Sequence, residues 1–137
     1  MAAIHSRDTK PELYFRKLLF ARGYRYRIAV KNVPGHPDLF LRKYNAAIFI
    51  HGCFWHRHPG CPFAYMPKSR VDFWEKKFTD NMKRDREVKE RLRAAHIRCL
   101  VVWECTIKQM KRDEAFRESV LKQAEIFLHS EAAYGEF

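Results

Sequence analysis

Histidine and cysteine are concentrated in one short segment that follows an apolar run. Between His51 and Cys61 the sequence reads HGCFWHRHPGC and holds three of the seven histidines and two of the four cysteines. Thiolate and imidazole are preferred zinc ligands, so Cys53, His58 and Cys61 can surround one ion from a single loop. The residues 51–67 show no period and have little other means of order. We therefore expect a metal-organised loop here.

A fourth zinc ligand must come from outside this loop. Cys105 follows the apolar run LVVW, where the end of a strand can face the loop, whereas Cys99 lies within that strand and is expected to be a core thiol. The alternative is that all these thiols are merely buried and unpaired. We predict a closed, structural Zn²⁺ site formed by Cys53, His58, Cys61 and Cys105.

The pattern along the remainder of the chain predicts an α/β fold. The 137 residues suit a single domain, 1–137, and a composition that is 47% hydrophobic excludes a disordered chain. A capping box from Thr9 to Glu12, with Pro11 in the first turn, begins a helix over about 10–22. Apolar periodicity then predicts strands over 24–30, 38–41 and 46–50, one or two helices within 68–98, a buried strand over 98–105 and a helix over 112–129. The order of helix, three strands, helix, strand and helix implies a mixed sheet with helices on its faces.

The charge of the chain indicates a polyanionic partner. Its 27 Lys+Arg and 16 Asp+Glu give a net charge of +11. Residues 1–98 hold 22 basic and 9 acidic residues, whereas residues 99–137 hold 5 and 7, so the positive charge accompanies the loop. No apolar run approaches the length of a membrane span, and the N-terminus lacks the apolar core of a signal peptide. We expect no membrane segment and a cytoplasmic location.

Several polar residues near the loop are candidates for chemistry. His51 and His56 lie outside the zinc set at the end of an apolar strand, where catalytic groups collect, although spacing alone does not separate them from hydrogen-bonded surface imidazoles. Asp38 is the one carboxylate within residues 28–67 and would serve any hard cation nearby; the alternative is an ordinary turn residue after Pro37.

Two further carboxylates carry competing interpretations. Asp85 lies on the apolar line of its predicted helix, where a carboxylate is costly unless it is paired. Its partner is an inward-turned Arg84 or Arg86, or a histidine that it would orient as a base; alternatively, the helix breaks nearby and turns Asp85 to solvent. Glu12 most simply completes the capping box, and a catalytic role for it is secondary.

Aromatic residues in and after the loop suit contact with bases. Phe54 and Trp55 lie in a polar segment where no helical period accounts for them, whereas Trp74 fits a core position equally well. Adjacent aromatics beside basic residues can stack on bases or wedge between them. The candidates for DNA binding are Phe54, Trp55, Trp74, Arg57, Lys68 and Arg70.

Four ordered motifs resemble the very short patch repair (Vsr-type) DNA mismatch endonucleases over roughly residues 5–108. They are PGHPD at 34–38, IFIHGCFWH at 48–56, FW at 73–74 with Asn81 and the RDR of 84–86, and VWEC at 102–105. The resemblance implies a restriction-endonuclease-like core. It also implies a Mg²⁺-dependent enzyme that nicks one DNA strand beside the thymine of a T:G mispair. The protein would act as a monomer on mispaired duplex DNA. Accessory proteins of mismatch repair are further candidate partners.

The resemblance also implies roles for individual residues. Asp38 and the backbone carbonyl of Ile50 match the Mg²⁺ ligands, and His56 matches the general base, with Asp85 as its orienting partner. The remaining matches are His51 as a second active-site imidazole, Glu12 near the metal, Cys53, His58, Cys61 and Cys105 as zinc ligands, and Phe54, Trp55 and Trp74 as wedging aromatics.

Two other functions fit the same residues. One is a non-catalytic, zinc-stabilised DNA-binding module that uses the same aromatic and basic surface. The other is a restriction-type or general nuclease without a preference for mispairs.

Overall fold

A four-stranded mixed sheet with helices on both faces forms the fold, and the computed structural model describes residues 9–137. The strand order is β1-β2-β3-β4, in which β1 is antiparallel to β2 and the other pairs are parallel. The elements in chain order are α1 (Lys10–Ala21), β1 (Leu39–Leu41), β2 (Ala46–His51), α2 (Val71–Ala94), β3 (Arg98–Trp103), α3 (Glu104–Arg112), α4 (Glu114–His129) and β4 (Tyr134–Glu136).

Alternate residues of the central strands pack against different helices. In β2, Ala46 and Ile48 belong to the cluster formed with α1, α3 and α4, whereas Ala47 and Phe49 belong to the cluster that includes Leu92 of α2. Strands buried on both faces read as continuous apolar runs, which is why β2 and β3 are recognisable from sequence. Because β2 and β3 are parallel, the crossover α2 connects them, as the mixed-sheet prediction required.

The first helix begins as its sequence predicted. The Glu12 N–H donates to Thr9 Oγ1 and the Thr9 N–H donates to Glu12 Oε2, both at 3.4 Å, so the capping box is present. The region 68–98 contains one uninterrupted helix, α2, rather than two. None of the helices within residues 9–137 is long and apolar enough to cross a membrane.

The predicted strand over 24–30 is wrong. Arg27 makes an isolated bridge to Phe40, and Ala29 has a φ of 55°, which interrupts an extended backbone. Tyr24 is buried against α4 instead, and its hydroxyl donates to Glu125 at 3.1 Å. Tyr26 also packs on the α1–α4 side, whereas Val30 packs on the α2 side and Ile28 is exposed, so the alternating residues share no single face.

The predictions near the C-terminus need two corrections. The strand predicted over 98–105 ends at Trp103, and α3 begins at Glu104, so Cys105 lies in the first turn of a helix. The predicted closing helix over 112–129 begins only at Glu114, after Asp113 accepts a hydrogen bond from the Phe116 N–H at 3.0 Å. No sequence pattern predicted β4, which is the fourth strand of the sheet in place of 24–30.

Candidate active site

One edge of the sheet collects the candidate catalytic residues. The carboxyl ends of the parallel strands β2 and β3, at His51 and Trp103, lie side by side at this edge. Strand β1 runs in the opposite direction, so Asp38, which precedes it, lies at the same edge. A groove of about 650 Å³ opens there, and its lining includes Asp38, Ile50, His51, His56 and Asp85.

Asp38 is held at the point where β1 and β2 separate. Its Oδ2 accepts a hydrogen bond from the Ile50 N–H at 2.6 Å. An antiparallel strand residue directs its N–H and C=O toward the same neighbour, so the Ile50 carbonyl also faces the side of Asp38. Burial raises the pKa of Asp38 to about 7 against the effect of this bond, and the charge of Glu12 adds to the rise while His56 opposes it. A carboxylate in such a place fits a cation ligand.

The two candidate histidines stack on each other beside Asp85. Their ring centroids are 3.9 Å apart and their planes differ by 4°. His56 Nδ1 lies 2.7 Å from Asp85 Oδ2, so the partner of Asp85 is a histidine rather than a neighbouring arginine. Burial lowers the pKa of His51 to about 4, and the adjacent His56 contributes to that shift, so His51 is uncharged near neutral pH. Ligand atoms of His51, His56 and Asp85 lie within 4.8 Å of one another, so these three residues could hold a metal ion.

Glu12 lies close enough to this centre for its charge to affect Asp38. The residue is buried, with an exposed fraction of 2%, and Arg16 Nη1 lies 3.6 Å from its Oε1. Glu12 thus combines its place in the capping box with a position near Asp38. The capping box is confirmed, and a catalytic role for Glu12 stays a prediction.

The predicted zinc ligands meet in one cluster. Ligand atoms of Cys53, His58, Cys61 and Cys105 all lie within 4.8 Å of one another. His58 Nδ1 is 3.7 Å from the sulfur of Cys53 and 3.4 Å from that of Cys105. These separations match a tetrahedral zinc site, whose ligand atoms lie about 3.5 Å apart. Burial raises the pKa of the Cys53 and Cys105 thiols, and a divalent cation is the partner that would favour thiolates there.

Cys99 stands outside that cluster. It is 5% exposed and packs among the residues between the sheet and α2. Burial raises the pKa of its thiol to about 11, as is typical of an inert core thiol. Of the two cysteines that the sequence offered as a fourth ligand, the structure brings Cys105 to the loop and leaves Cys99 in the core.

The candidate aromatic residues form one half-buried cluster around Phe54. Its ring centroid lies 5.2 Å from that of Trp55, 5.5 Å from Trp74 and 5.1 Å from the buried Phe78. Trp55 and Trp74 are themselves 5.8 Å apart. Packing of this kind fixes the rings while leaving part of each accessible, which suits contact with bases.

The three candidate basic residues occupy different settings. Arg57 donates to the carbonyls of Phe54, Ala64 and Tyr65 at 2.9–3.2 Å. Its guanidinium therefore connects two parts of the loop backbone. Arg70 precedes α2 and places its guanidinium 4.5 Å from the Phe73 ring, and Lys68 is exposed. Arg57 therefore orders the loop, whereas Lys68 and Arg70 lie on its outer surface.

Sequence reasoning placed Asn81 and Trp103 within the matching motifs but gave neither residue a role at this site. Asn81 is buried on α2 and its Nδ2 donates to the Trp55 carbonyl at 3.0 Å. Its place four residues before Asp85, on the same side of the helix, was a signal available in the sequence. Trp103 packs against both His51 and His58, but its partner Glu136 belongs to the unexpected β4, and no pattern linked the two.

Comparison with known proteins settles the family. The family model described as DNA mismatch endonuclease Vsr matches residues 1–62. The DNA mismatch endonuclease Vsr of Escherichia coli is 39% identical over 120 residues, which cover 86% of this chain and 76% of the relative. The chain belongs to the Vsr family of DNA mismatch endonucleases. It is accordingly a DNA-cleaving hydrolase, which excludes the non-catalytic binding module.

Further Vsr relatives carry a different description. A type II nicking enzyme of Neisseria meningitidis is 46% identical over 108 residues, which cover 79% of this chain and 76% of the relative. A type II nicking enzyme of Xanthomonas oryzae is 39% identical over 121 residues and covers 88% of both chains. Both descriptions agree with cleavage of a single DNA strand by members of the family.

Proposed function

We propose that this protein nicks one strand of duplex DNA beside the thymine of a T:G mispair, with Mg²⁺ as cofactor, in very short patch repair. We further propose that it acts as a monomer built from a single restriction-endonuclease-like domain. The observation that supports this best is that two polar contacts, Asp38 with Ile50 and His56 with Asp85, lie at one edge of the sheet. Asp38 accepts a hydrogen bond from the Ile50 N–H, and in the same groove His56 Nδ1 lies 2.7 Å from Asp85 Oδ2.

Asp38 and the carbonyl of Ile50 are the groups that would hold Mg²⁺. Both offer oxygen, which Mg²⁺ prefers, and protein sites for Mg²⁺ commonly supply only one or two such ligands. The raised pKa of Asp38 supports the fit, because a buried carboxylate gains most from a cation. Bound there, Mg²⁺ would stabilise the charge that develops on the phosphate and favour ionisation of the attacking water.

His56 is the proposed general base. With its Nδ1 engaged by Asp85, its Nε2 is left as the acceptor for a proton from water, provided the Nδ1 carries the hydrogen. The parallel stacking of His51 limits how far the His56 ring can turn. His51 itself remains uncharged near neutral pH and can accept or donate a hydrogen bond at the phosphate.

We propose that Cys53, His58, Cys61 and Cys105 hold a structural Zn²⁺. The four ligand positions are all supplied by protein, so the site is closed. The purified protein should contain about one equivalent of zinc, and Cys105→Ala should lose it while Cys99→Ala retains it. Equal zinc content in the two variants would remove Cys105 from the site.

The aromatic cluster is the proposed source of mispair recognition. A mispair is less costly to open than a matched pair, and stacking on an aromatic ring is worth about 1–3 kcal/mol per base. Trp55→Ala should therefore reduce the preference for T:G over T:A by roughly tenfold, a value within the span that this energy allows. Phe63→Ala removes an exposed aromatic ring elsewhere in the loop and is the matched control.

The decisive experiment compares nicking of a T:G duplex with nicking of its T:A twin in the presence of Mg²⁺. We expect cleavage of one strand of the T:G duplex beside the thymine and little cleavage of the twin. Asp38→Ala should abolish nicking and preserve DNA binding. Equal nicking of the two duplexes would instead favour a second function, that of a restriction-type nuclease without mispair preference; two of the relatives are described as type II nicking enzymes.

A further inference from the structure

The indole of Trp103 contacts both centres of the site. It lies parallel to the ring of His58, with centroids 4.1 Å apart and planes 7° apart. It also meets the ring of His51 edge-on at 5.3 Å. His51 in turn stacks on His56 at 3.9 Å. A continuous series of rings therefore joins the proposed zinc ligand to the proposed base.

The C-terminal strand holds this indole in place. Trp103 Nε1 donates to Glu136 Oε2 at 2.9 Å, and the Tyr134 hydroxyl donates to Glu136 Oε1 at 2.6 Å. The backbone adds two bonds, because the Trp103 N–H donates to the Phe137 carbonyl and the Phe137 N–H donates to the Val101 carbonyl, both at 2.9 Å. The Glu136 carboxylate thus holds the indole by its N–H.

A fixed indole determines the plane of both imidazoles that it touches. His58 presents its Nδ1 toward the sulfurs of Cys53 and Cys105 while its ring lies flat on Trp103, so a tilt of the indole would turn the Nδ1 from the sulfurs. Trp103 is 6% exposed, so an indole N–H that loses its acceptor has little access to water and favours another orientation. Such a change would reach His58 directly and His51 at the indole edge.

We propose that Glu136 is a positioning residue. Through its hydrogen bond to Trp103 it orients the proposed zinc ligand His58 and the stacked His51–His56 pair. The inference rests on the roles given above to His56 and to the zinc cluster. It assigns a part in the reaction to β4, the strand that nothing in the sequence predicted. Groups that orient metal ligands from outside the ligand set commonly change metal affinity or activity by about 10- to 100-fold when they are removed.

The test compares three variants of the full chain loaded with zinc. In Glu136→Ala, zinc should pass to a chromogenic chelator at least about tenfold faster, and kcat for nicking should fall by a similar factor with KM within about twofold. Glu136→Gln keeps an oxygen acceptor for the indole N–H and should stay within about threefold of the parent on both measures. Glu131→Ala, an exposed carboxylate in the segment before β4, is the control for the loss of one negative charge and should match the parent.

Two results would overturn the proposal. One is a Glu136→Ala protein whose zinc release and kcat equal those of Glu131→Ala. The other is a Glu136→Gln protein as impaired as Glu136→Ala, since that would make charge, rather than the hydrogen bond, the cause. If Glu136→Ala does not fold, Trp103→Phe replaces it, because phenylalanine keeps a ring against the histidines and lacks the N–H. Zinc release needs no DNA, so this result stands apart from any failure of the parent protein to nick T:G duplexes.

Discussion

Asp85 illustrates how a single carboxylate can be both costly and useful. It lies on the side of α2 that faces the sheet, and its Oδ2 is 2.7 Å from His56 Nδ1. Both side chains are 30% exposed, so the pair is partly screened by water and contributes little to folding. Its value lies in orientation, since a bonded Nδ1 fixes the ring and leaves Nε2 toward the groove.

Removal of this carboxylate should therefore impair catalysis more than stability. For Asp85→Ala we expect kcat for nicking to fall roughly 10- to 100-fold, the range for partners that orient a catalytic histidine, with KM little changed. Glu87→Ala on the same helix removes an exposed carboxylate and is the control for charge. Steady-state kinetics on the T:G duplex measure both. Equal kcat values for the two variants would show that His56 does not depend on Asp85.

The loop before β1 is a second place where local geometry bears on the reaction. Gly35 has a φ of 82°, and a Cβ at this position would lie 2.4 Å from Cγ1 of Val88 on α2. Gly23 has a similar φ of 93° with nothing within 4 Å of the corresponding Cβ position. A side chain at Gly23 would meet backbone strain alone, whereas one at Gly35 would meet both backbone strain and a clash with Val88.

Alanine substitutions at these glycines should differ in size and in consequence. Gly23→Ala should cost about 1–2 kcal/mol of unfolding free energy through backbone strain alone. Gly35→Ala should cost about 1–3 kcal/mol more, because Val88 must move, and it should slow nicking since Asp38 lies three residues further on. Urea unfolding and nicking rates measure the two effects. A Gly35→Ala protein as stable and active as Gly23→Ala would contradict the close packing of this loop against α2.

The helices and strands differ in how well they can be predicted from local sequence. The capping box of α1 and the unbroken apolar run of β2 are local signals, and both elements form where expected. The segment 24–30 alternates like a strand, but Tyr24 finds its partner in Glu125 of α4, a contact about 100 residues away. Strand β4 is three residues long and exists only because it pairs with β3, so no local pattern could reveal it.

The candidate site shows the same division between local and long-range information. The metal-ligand residue types within 51–61 could be read from one loop. The family resemblance paired His56 with Asp85, and the structure places the two side chains in contact. The contacts of Trp103, stacked on His58 and edge-on to His51, were not predictable, because they depend on the register of β2 against β3. Residues whose roles depend on strand pairing are thus the part of the site that sequence leaves open.

Positive charge is distributed over the molecule in a way that suits a sequence-independent grip on DNA. The chain carries a net charge of +11. Basic side chains of α2 stand along the groove that holds the proposed active centre, namely Arg84, Arg86, Lys89 and Arg91. Phosphate contacts of this kind set affinity and orientation, and base contacts set specificity. The basic groove and the aromatic cluster should therefore respond differently to salt.

Salt should weaken binding to all duplexes and leave the preference for a mispair largely intact. If six to ten phosphates are contacted, the affinity for both T:G and T:A duplexes should fall by roughly 10³- to 10⁵-fold between about 50 and 200 mM salt. The ratio of the two dissociation constants should change by less than about threefold, because stacking of Phe54 and Trp55 on bases releases no counterions. Binding titrations of the catalytically inactive Asp38→Ala protein with both duplexes across this range measure it without cleavage. A ratio that collapses with rising salt would mean that charge, rather than the aromatic cluster, distinguishes the mispair.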